Sequence, residues 1–394
     1  MRTFVSFLGI FTVLALVAVL AIPADHLPAA LSFGQIAMGA GLPGVMLATG
    51  QWPTIVDVST RMDPDGNIPT IAEMMSQANE MTDDLPFVKA NGKTGHEFVF
   101  RTSIPAGTWR QYNQGVPYAK STTAKARVGM GMLADYSQVD KDLARHSGDA
   151  MGFRESEDVA FLEGMGQTIS QTFIYGNTVT NPNSFMGFAP FYNTINTASA
   201  QNAANVINGG GVGNSNSSLW LIGWGPETVF GLFPEGSQAG LQYENKGDVV
   251  PGFDSFGNRF EAYTSYFCQE AGLCPKDWRY AVRIANLDTT TAGLAGSNAP
   301  DLFKLMSKSL MLFPKLGKTT NGITKTDAPD DAAVGIRPVF YANRTVRYYM
   351  DVQAIRDKNV LLSPTDYAGR PIENFRGIPI KIVDQILNSE SRVT

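Results

Sequence analysis

Charge is scarce in this chain. Of 394 residues, 31 are Lys or Arg and 36 are Asp or Glu, so 17% are charged. An average soluble domain carries roughly 25%. The balance is acidic, at a formal net charge of −5. Tight, direct binding of bare nucleic acid needs clustered Lys and Arg, and this composition argues against it. Cysteine is nearly absent. Cys268 and Cys274 stand with five residues between them, which is not the C-x-x-C of a redox or zinc site. Two reduced thiols are expected, with a disulfide as the alternative. The three histidines, His26, His96 and His146, have no Cys or His near enough to suggest a metal site.

Enzyme signatures are missing too. Leu316-Gly317-Lys318-Thr319 resembles a phosphate-binding loop, but the first glycine of that motif would fall at Leu312. In Gly236-Ser237-Gln238-Ala239-Gly240 the serine stands one place too early for a nucleophile elbow. Gly209-Gly210-Gly211-Val212-Gly213 does not match a dinucleotide fingerprint. No H-E-x-x-H occurs. No catalytic, cofactor-binding or metal-binding residue is assigned, no cofactor is expected, and the chain reads as a non-enzyme.

The chain is 44% hydrophobic, with 39 Gly and 22 Pro scattered along it. That allows a sizeable core with many turns, as one elaborate domain or two to three smaller ones. Residues 4–22 are uncharged and apolar, long enough for a membrane span. At Met46 the character turns to a mixed soluble sequence. Three readings stand: an export or membrane segment, a segment buried in an assembly, or a true start at Met46. The third is favoured, and membrane association is not expected.

Residues 63–67, DPDGN, form a turn. They are not a calcium loop, because Ile68 and Met74 occupy the positions that need Gly and Glu. Met and Ile spacing predicts a short amphipathic helix over 68–82. Strand-like segments at 96–100 and 116–132 flank a Gly- and Pro-broken middle, predicting a long β-hairpin arm. Residues 147–176 predict a long helix, capped by Ser147 or Asp149 and closed by Gly176. Phe161, Leu162, Met165, Ile169, Phe173 and Ile174 would line its buried face, and Gly152, Gly164 and Gly166 would bend it or admit another backbone. Further on, 219–224 and 280–287 read as buried strands, 301–312 as a helix, and 339–353 and 376–384 as strands. Residues 209–218 and 317–335 read as loops. No internal repeat occurs, and the whole is α+β.

One charge pattern stands out. Arg101, Arg110, Lys120, Lys125 and Arg127 of the arm oppose a single Glu97. Asp149, Glu155, Glu157, Asp158 and Glu163 of the long helix oppose a single Arg154. These are either two solvated faces or two halves of a contact between subunits. Trp109 and Tyr112 beside Arg110 suit a buried contact with a partner, or else a local cluster within the hairpin. The candidate inter-subunit residues are Arg101, Trp109, Arg110, Tyr112, Lys120, Lys125, Arg127, Glu155, Glu157 and Asp158.

Long stretches carry a family resemblance. QWPTIVDVSTRMDPDG, FRTSIPAGTWRQYNQGVPYAKSTTAK, LADYSQVDKDLA, FRESEDVAFLEGM, LWLIGWGPETVFGLFPEGSQAGLQ, DWRYAVRIANLD and GIPIKIVDQIL cover much of residues 46–394. Together they resemble the major capsid proteins of tailed bacteriophages and prophages. The resemblance implies the Hong Kong 97-type capsid fold. Residues 46–90 would be an N-terminal arm and 91–133 the extended E-loop. Residues 134–184 and 345–394 would form the peripheral domain with its spine helix, and 185–344 the axial domain. Residues 1–45 match nothing in the family and read as a signal-like or mis-started segment. The implied function is self-assembly into pentamers and hexamers that close an icosahedral shell around double-stranded DNA, without sequence-specific binding. Scaffolding protein, portal and a decoration protein are the implied partners, and the virion capsid, assembled in the host cytoplasm, is the implied location. The competing readings are an encapsulin-like non-viral shell and an exported or membrane-tethered binding protein.

Overall fold

The computed structural model describes residue 53 and residues 77–246, 250–253, 257–290, 293–294, 296, 299–314, 336–356, 362–367 and 370–394. The apolar run at 4–22, the DPDGN turn, most of the helix expected over 68–82 and all of the loop at 317–335 lie outside them. Among the described residues no helix is long and apolar enough to cross a membrane.

In chain order the helices are α1 (Met81–Asp84), α2 (Lys141–His146), α3 (Ala150–Tyr175), α4 (Phe188–Phe191), α5 (Leu302–Leu312) and α6 (Arg344–Arg356). The strands are β1 (Phe87–Lys89), β2 (Gly95–Ser103), β3 (Thr122–Gly129), β4 (Gly131–Asp140), β5 (Val206–Asn208), β6 (Asn216–Trp224), β7 (Val229–Phe233), β8 (Leu241–Asn245), β9 (Val250–Phe253), β10 (Arg259–Pro275), β11 (Ala281–Asp288), β12 (Arg337–Ala342), β13 (Leu362–Tyr367), β14 (Arg370–Phe375) and β15 (Ile378–Ile382). Thirteen of these strands join one branched sheet, and β2 and β3 form a separate two-stranded ribbon.

The centre of the sheet follows from composition. Every residue of β6, NSSLWLIGW, is buried, and such continuous apolar runs suit a strand covered on both faces. Trp220, Ile222 and Trp224 face Ile169, Phe173 and Ile174 of α3. Leu219 and Leu221 point the other way, onto Phe303, Met306 and Leu310 of α5 and Val346 and Met350 of α6. The result is a helix–sheet–helix sandwich. Strand β10 links two parts of the sheet. Its first part pairs antiparallel with β4, β8 and β9, and its end pairs with β7. Cys268 and Cys274 lie six residues apart on β10, about 20 Å at 3.3 Å per residue, too far to bridge. Both are free and buried.

The long helix starts where Asp149 accepts the Gly152 N–H at 3.0 Å. Ser147 instead bonds the Ala144 carbonyl. At 26 residues α3 is about 39 Å long. Its buried face is Phe153, Met165, Ile169, Ser170, Phe173 and Ile174. Phe161 is half-buried and stacks on Phe267, with ring centroids 6.4 Å apart, and Leu162 turns outward. Gly176 ends the helix for a reason other than a left-handed cap, since its φ is −50°. A side chain there would meet the Phe185 and Thr172 carbonyls at 2.5 Å. Gly164 and Gly166 have open space before them, and among the described residues no backbone outside their own helix comes within 4 Å of either.

Two other expectations change. The strand expected over 339–353 ends at Ala342 and gives way to α6. Asn343 caps that helix by accepting the Thr345 N–H at 2.9 Å, and Val346, Met350 and Gln353 bury at helical spacing. The loop expected over 209–218 stops at Ser215, because Asn216, Ser217 and Ser218 are fully buried in β6. Glu390 holds them there, its N–H donating to the Asn216 carbonyl and its carboxylate accepting from Ser218.

Candidate assembly interface

The β2–β3 ribbon has a packed root and a bare tip. At the root, Asn91 closes a two-way bridge with the Glu97 backbone, and Val128 packs with Phe230, Leu232 and Cys274. His96 meets the Phe230 ring edge-on at 6.0 Å, and its Nδ1 accepts the Asn91 N–H at 3.3 Å. Burial, then the nearby Lys276 charge, holds the His96 imidazolium form below its usual range. From Val99 onward the arm leaves the body. Trp109 is 101% exposed, Tyr112 99% and Tyr118 107%. Trp109, Tyr112 and Tyr118 are therefore not gathered into a buried cluster within the hairpin. A two-stranded hairpin is marginal in water by itself, and three bare aromatics call for a covering surface.

The arm's cations share this exposure. Arg101, Arg110, Lys120, Lys125 and Arg127 are all exposed. Arg110 donates to the Gln114 carbonyl at 3.2 Å, and Arg127 to the Thr94 hydroxyl at 2.8 Å.

The acidic helix is less uniform than its composition. Successive residues turn by 100°, which puts Glu155 and Glu157 on nearly opposite faces. Asp158 accepts from the Ser265 hydroxyl at 2.9 Å, and Glu157 is half-buried. Glu163 accepts from the Gln77 N–H at 3.0 Å and the Gln167 amide at 2.9 Å. Arg154 lies over the Tyr263 ring at 4.6 Å. Only Glu155 of the three candidates is exposed, and it sits between Met151, Val159 and Leu162, all exposed. The outward face of α3 is thus an apolar stripe with one carboxylate.

Residues 77–85 are strapped to this body. Asp384 accepts the Ala78 N–H at 2.9 Å and a two-pronged pair from Arg344. Burial raises the Asp384 carboxyl, but these bonds outweigh it and hold the group below the usual carboxylate range. Asp84 accepts from Lys381 at 2.7 Å and from Tyr341 at 2.7 Å, and the Tyr341 hydroxyl itself accepts from Trp224. Behind the strap lies a buried charge pair. Glu390 accepts from Arg283 at 2.8 Å, from Ser218 at 2.5 Å and from Tyr175 at 2.5 Å. Burial, then the Glu390 charge, pushes the Tyr175 hydroxyl well up. Burial also pushes the Cys274 thiol up to about 12, which leaves it inert. Among the described residues no three His, Cys, Asp or Glu side chains converge to hold a metal ion.

An exposed arm, a strapped N-terminal segment and a long helix on a sheet are parts for building contacts between copies. A family model described as major capsid protein GP7 matches residues 63–394. The chain belongs to that family. This capsid protein is also similar to a chain in the near-atomic structure of bacteriophage Epsilon15, at 32% identity and a TM-score of 0.66, covering 89% of this chain and 100% of that one. The bacteriophage JBD30 capsid is 9% identical, with a TM-score of 0.43, covering 80% of this chain and 93% of that one. No curated protein matches. The capsid protein has the Hong Kong 97-type fold, its function is to build the phage shell, and its place is the virion capsid. The family is structural.

Sequence reasoning expected an arm here and missed the outward stripe on α3. The signal was present. Met151, Val159 and Leu162 fall within about 80° of one another and in line with Ile169 and Phe173, so the apolar face of the helix runs on past the part that the body covers.

Proposed function

We propose that this capsid protein assembles into pentamers and hexamers that close an icosahedral shell around double-stranded DNA, with the arm of each copy lying on a neighbour. The observation that carries this is the tip of the β2–β3 ribbon, where Trp109, Tyr112 and Tyr118 stand fully exposed on their own subunit. Residues 91–133 act as the extended E-loop. Residues 134–184 with 345–394 form the peripheral domain around α3, and residues 185–344 form the axial domain at the capsomer centre. The basic arm supplies Arg101, Arg110, Lys120, Lys125 and Arg127, and the receiving copy supplies carboxylates such as Glu155. Complementary charge sets register between copies, and the aromatics supply buried area. A net charge of −5 suits a container that encloses DNA through no sequence-specific contact. Scaffolding protein, portal and a decoration protein complete the partners.

The test is Arg110→Glu with Lys120→Glu. The double variant is expected to fold as wild type and to lose shells at least tenfold by sedimentation. Shells at normal yield in ordinary salt would rule out the arm contact.

A further inference from the structure

A groove of about 330 Å³ runs between residues 77–83 and α3. Glu80, Asp83 and Glu163 line it, with Gly166, Gln167 and Ser170 along its helical side, and among the described residues no Lys or Arg does. Ser170 gives an independent sign that the groove takes a ligand. It is 1% exposed, and its hydroxyl has no hydrogen-bond partner. Ser and Thr within helices ordinarily bond a preceding carbonyl. On α3, Ser156, Thr168 and Thr172 do so at 2.7–2.9 Å, while Ser170 does not. An unmade bond on a buried hydroxyl is costly, so an occupant that supplies a partner is favoured.

The lining selects the occupant. Three carboxylates and a hydroxyl with free lone pairs ask for a donor carrying positive charge. The carboxylates do not converge closely enough for a metal ion. A planar guanidinium, with five N–H donors spread over a fork, fits acceptors spaced this way. Gly166 leaves open space on the helical side, where a side chain can enter. We propose that this groove receives Arg110 from the arm of a second copy of the chain. The inference rests on the arm contact proposed above and fixes where that contact lands. Arg110 stands at the exposed tip between Trp109 and Tyr112. The ribbon carries it about 30 Å from its root, taking 3.3 Å for each of the nine residues of β2. Among the described residues of its own subunit it bonds the Gln114 carbonyl. The seat would tie three things together: the strap at 77–83, the C-terminal half of α3 and the neighbour's arm.

The experiment is charge reversal and its repair in the full-length chain, read as shell yield by sedimentation and negative-stain microscopy. Asp83 is exposed, so Asp83→Arg leaves the fold intact; Glu163 is avoided because it also holds Gln77. Asp83→Arg alone and Arg110→Glu alone should each cut the yield about tenfold. The two together should restore it to within twofold of wild type. Circular dichroism of each single variant should match wild type. Normal assembly of Asp83→Arg overturns the groove as the seat. So does failure of the pair to repair when each single variant is defective, although the arm contact itself then survives. Repair of Asp83→Arg by Arg61→Glu instead would assign the groove to this chain's own N-terminal segment and overturn the proposal. Normal assembly of Arg110→Glu together with Lys120→Glu would remove the arm contact and the groove reading at once.

Discussion

Glu390 is the residue whose loss should be felt most widely in the subunit. Its carboxylate gathers Arg283, Ser218 and Tyr175 in a site where both charged side chains are only 5% exposed. Arg283 also donates to the Tyr192 carbonyl at 2.9 Å and lies over the Trp220 ring at 5.2 Å. Glu390→Gln keeps the shape but leaves the guanidinium buried without a counter-charge, and the new amide donors face the Ser218 hydroxyl and the Arg283 N–H groups. Breaking one side of a buried pair costs about 3–5 kcal/mol. Arg283→Met leaves the carboxylate stranded and costs a similar amount. Removing both charges leaves no uncompensated ion, so the double variant should lose no more than the larger single loss. The assay is urea unfolding of the unassembled subunit, followed by tryptophan fluorescence, with Trp220 lying directly under the guanidinium. A double variant whose loss equals the sum of the two singles would refute the coupling. So would single losses below about 1 kcal/mol, the range of a surface pair.

Two further predictions concern the arm and the helix. His96 is neutral in the fold, and its folded pKa lies below that of the unfolded chain. Its contribution is therefore present above about pH 6.5 and is lost as pH falls through the folded value. Hydrogen exchange at residues 91–97 should quicken on going from pH 7 to pH 5 beyond the intrinsic change, and His96→Phe should abolish that excess; equal excess in both proteins would contradict the assignment. Gly164→Ala adds a methyl into open space on an exposed helical turn. It should stabilise the unassembled subunit by roughly 0.5–1 kcal/mol in the same urea assay, and a loss of stability would show that the space is occupied.

Sequence reasoning read the parts whose pattern is local. The run LWLIGW became β6 because it is apolar without a break, and α5 and α3 follow their apolar spacing and their Asp301 and Asp149 caps. It failed where distant residues decide. Val346, Tyr348, Tyr349 and Val352 favour strands by propensity, yet Asn343 caps a helix there, and Val346 and Met350 bury against the sheet face that α5 also covers. Ser217 and Ser218 read as loop because serine favours turns, and the partners that satisfy the buried Ser218 hydroxyl, Arg283 and Glu390, stand 65 and 172 residues away. The candidate interface divides the same way. The charge and aromatics of the arm are visible as composition, and they lie on an exposed tip. The groove behind it is assembled from residues 80, 83, 163 and 170, and no local pattern joins the strap to the helix.

The most direct test of the account is electron cryomicroscopy of the particles formed by the full-length chain. The account predicts closed icosahedral shells of pentamers and hexamers, with density for residues 104–121 of each copy lying on its neighbour and Trp109 and Tyr112 covered. Shells in which those residues stay exposed on every copy, or a chain that forms no shells, would contradict it.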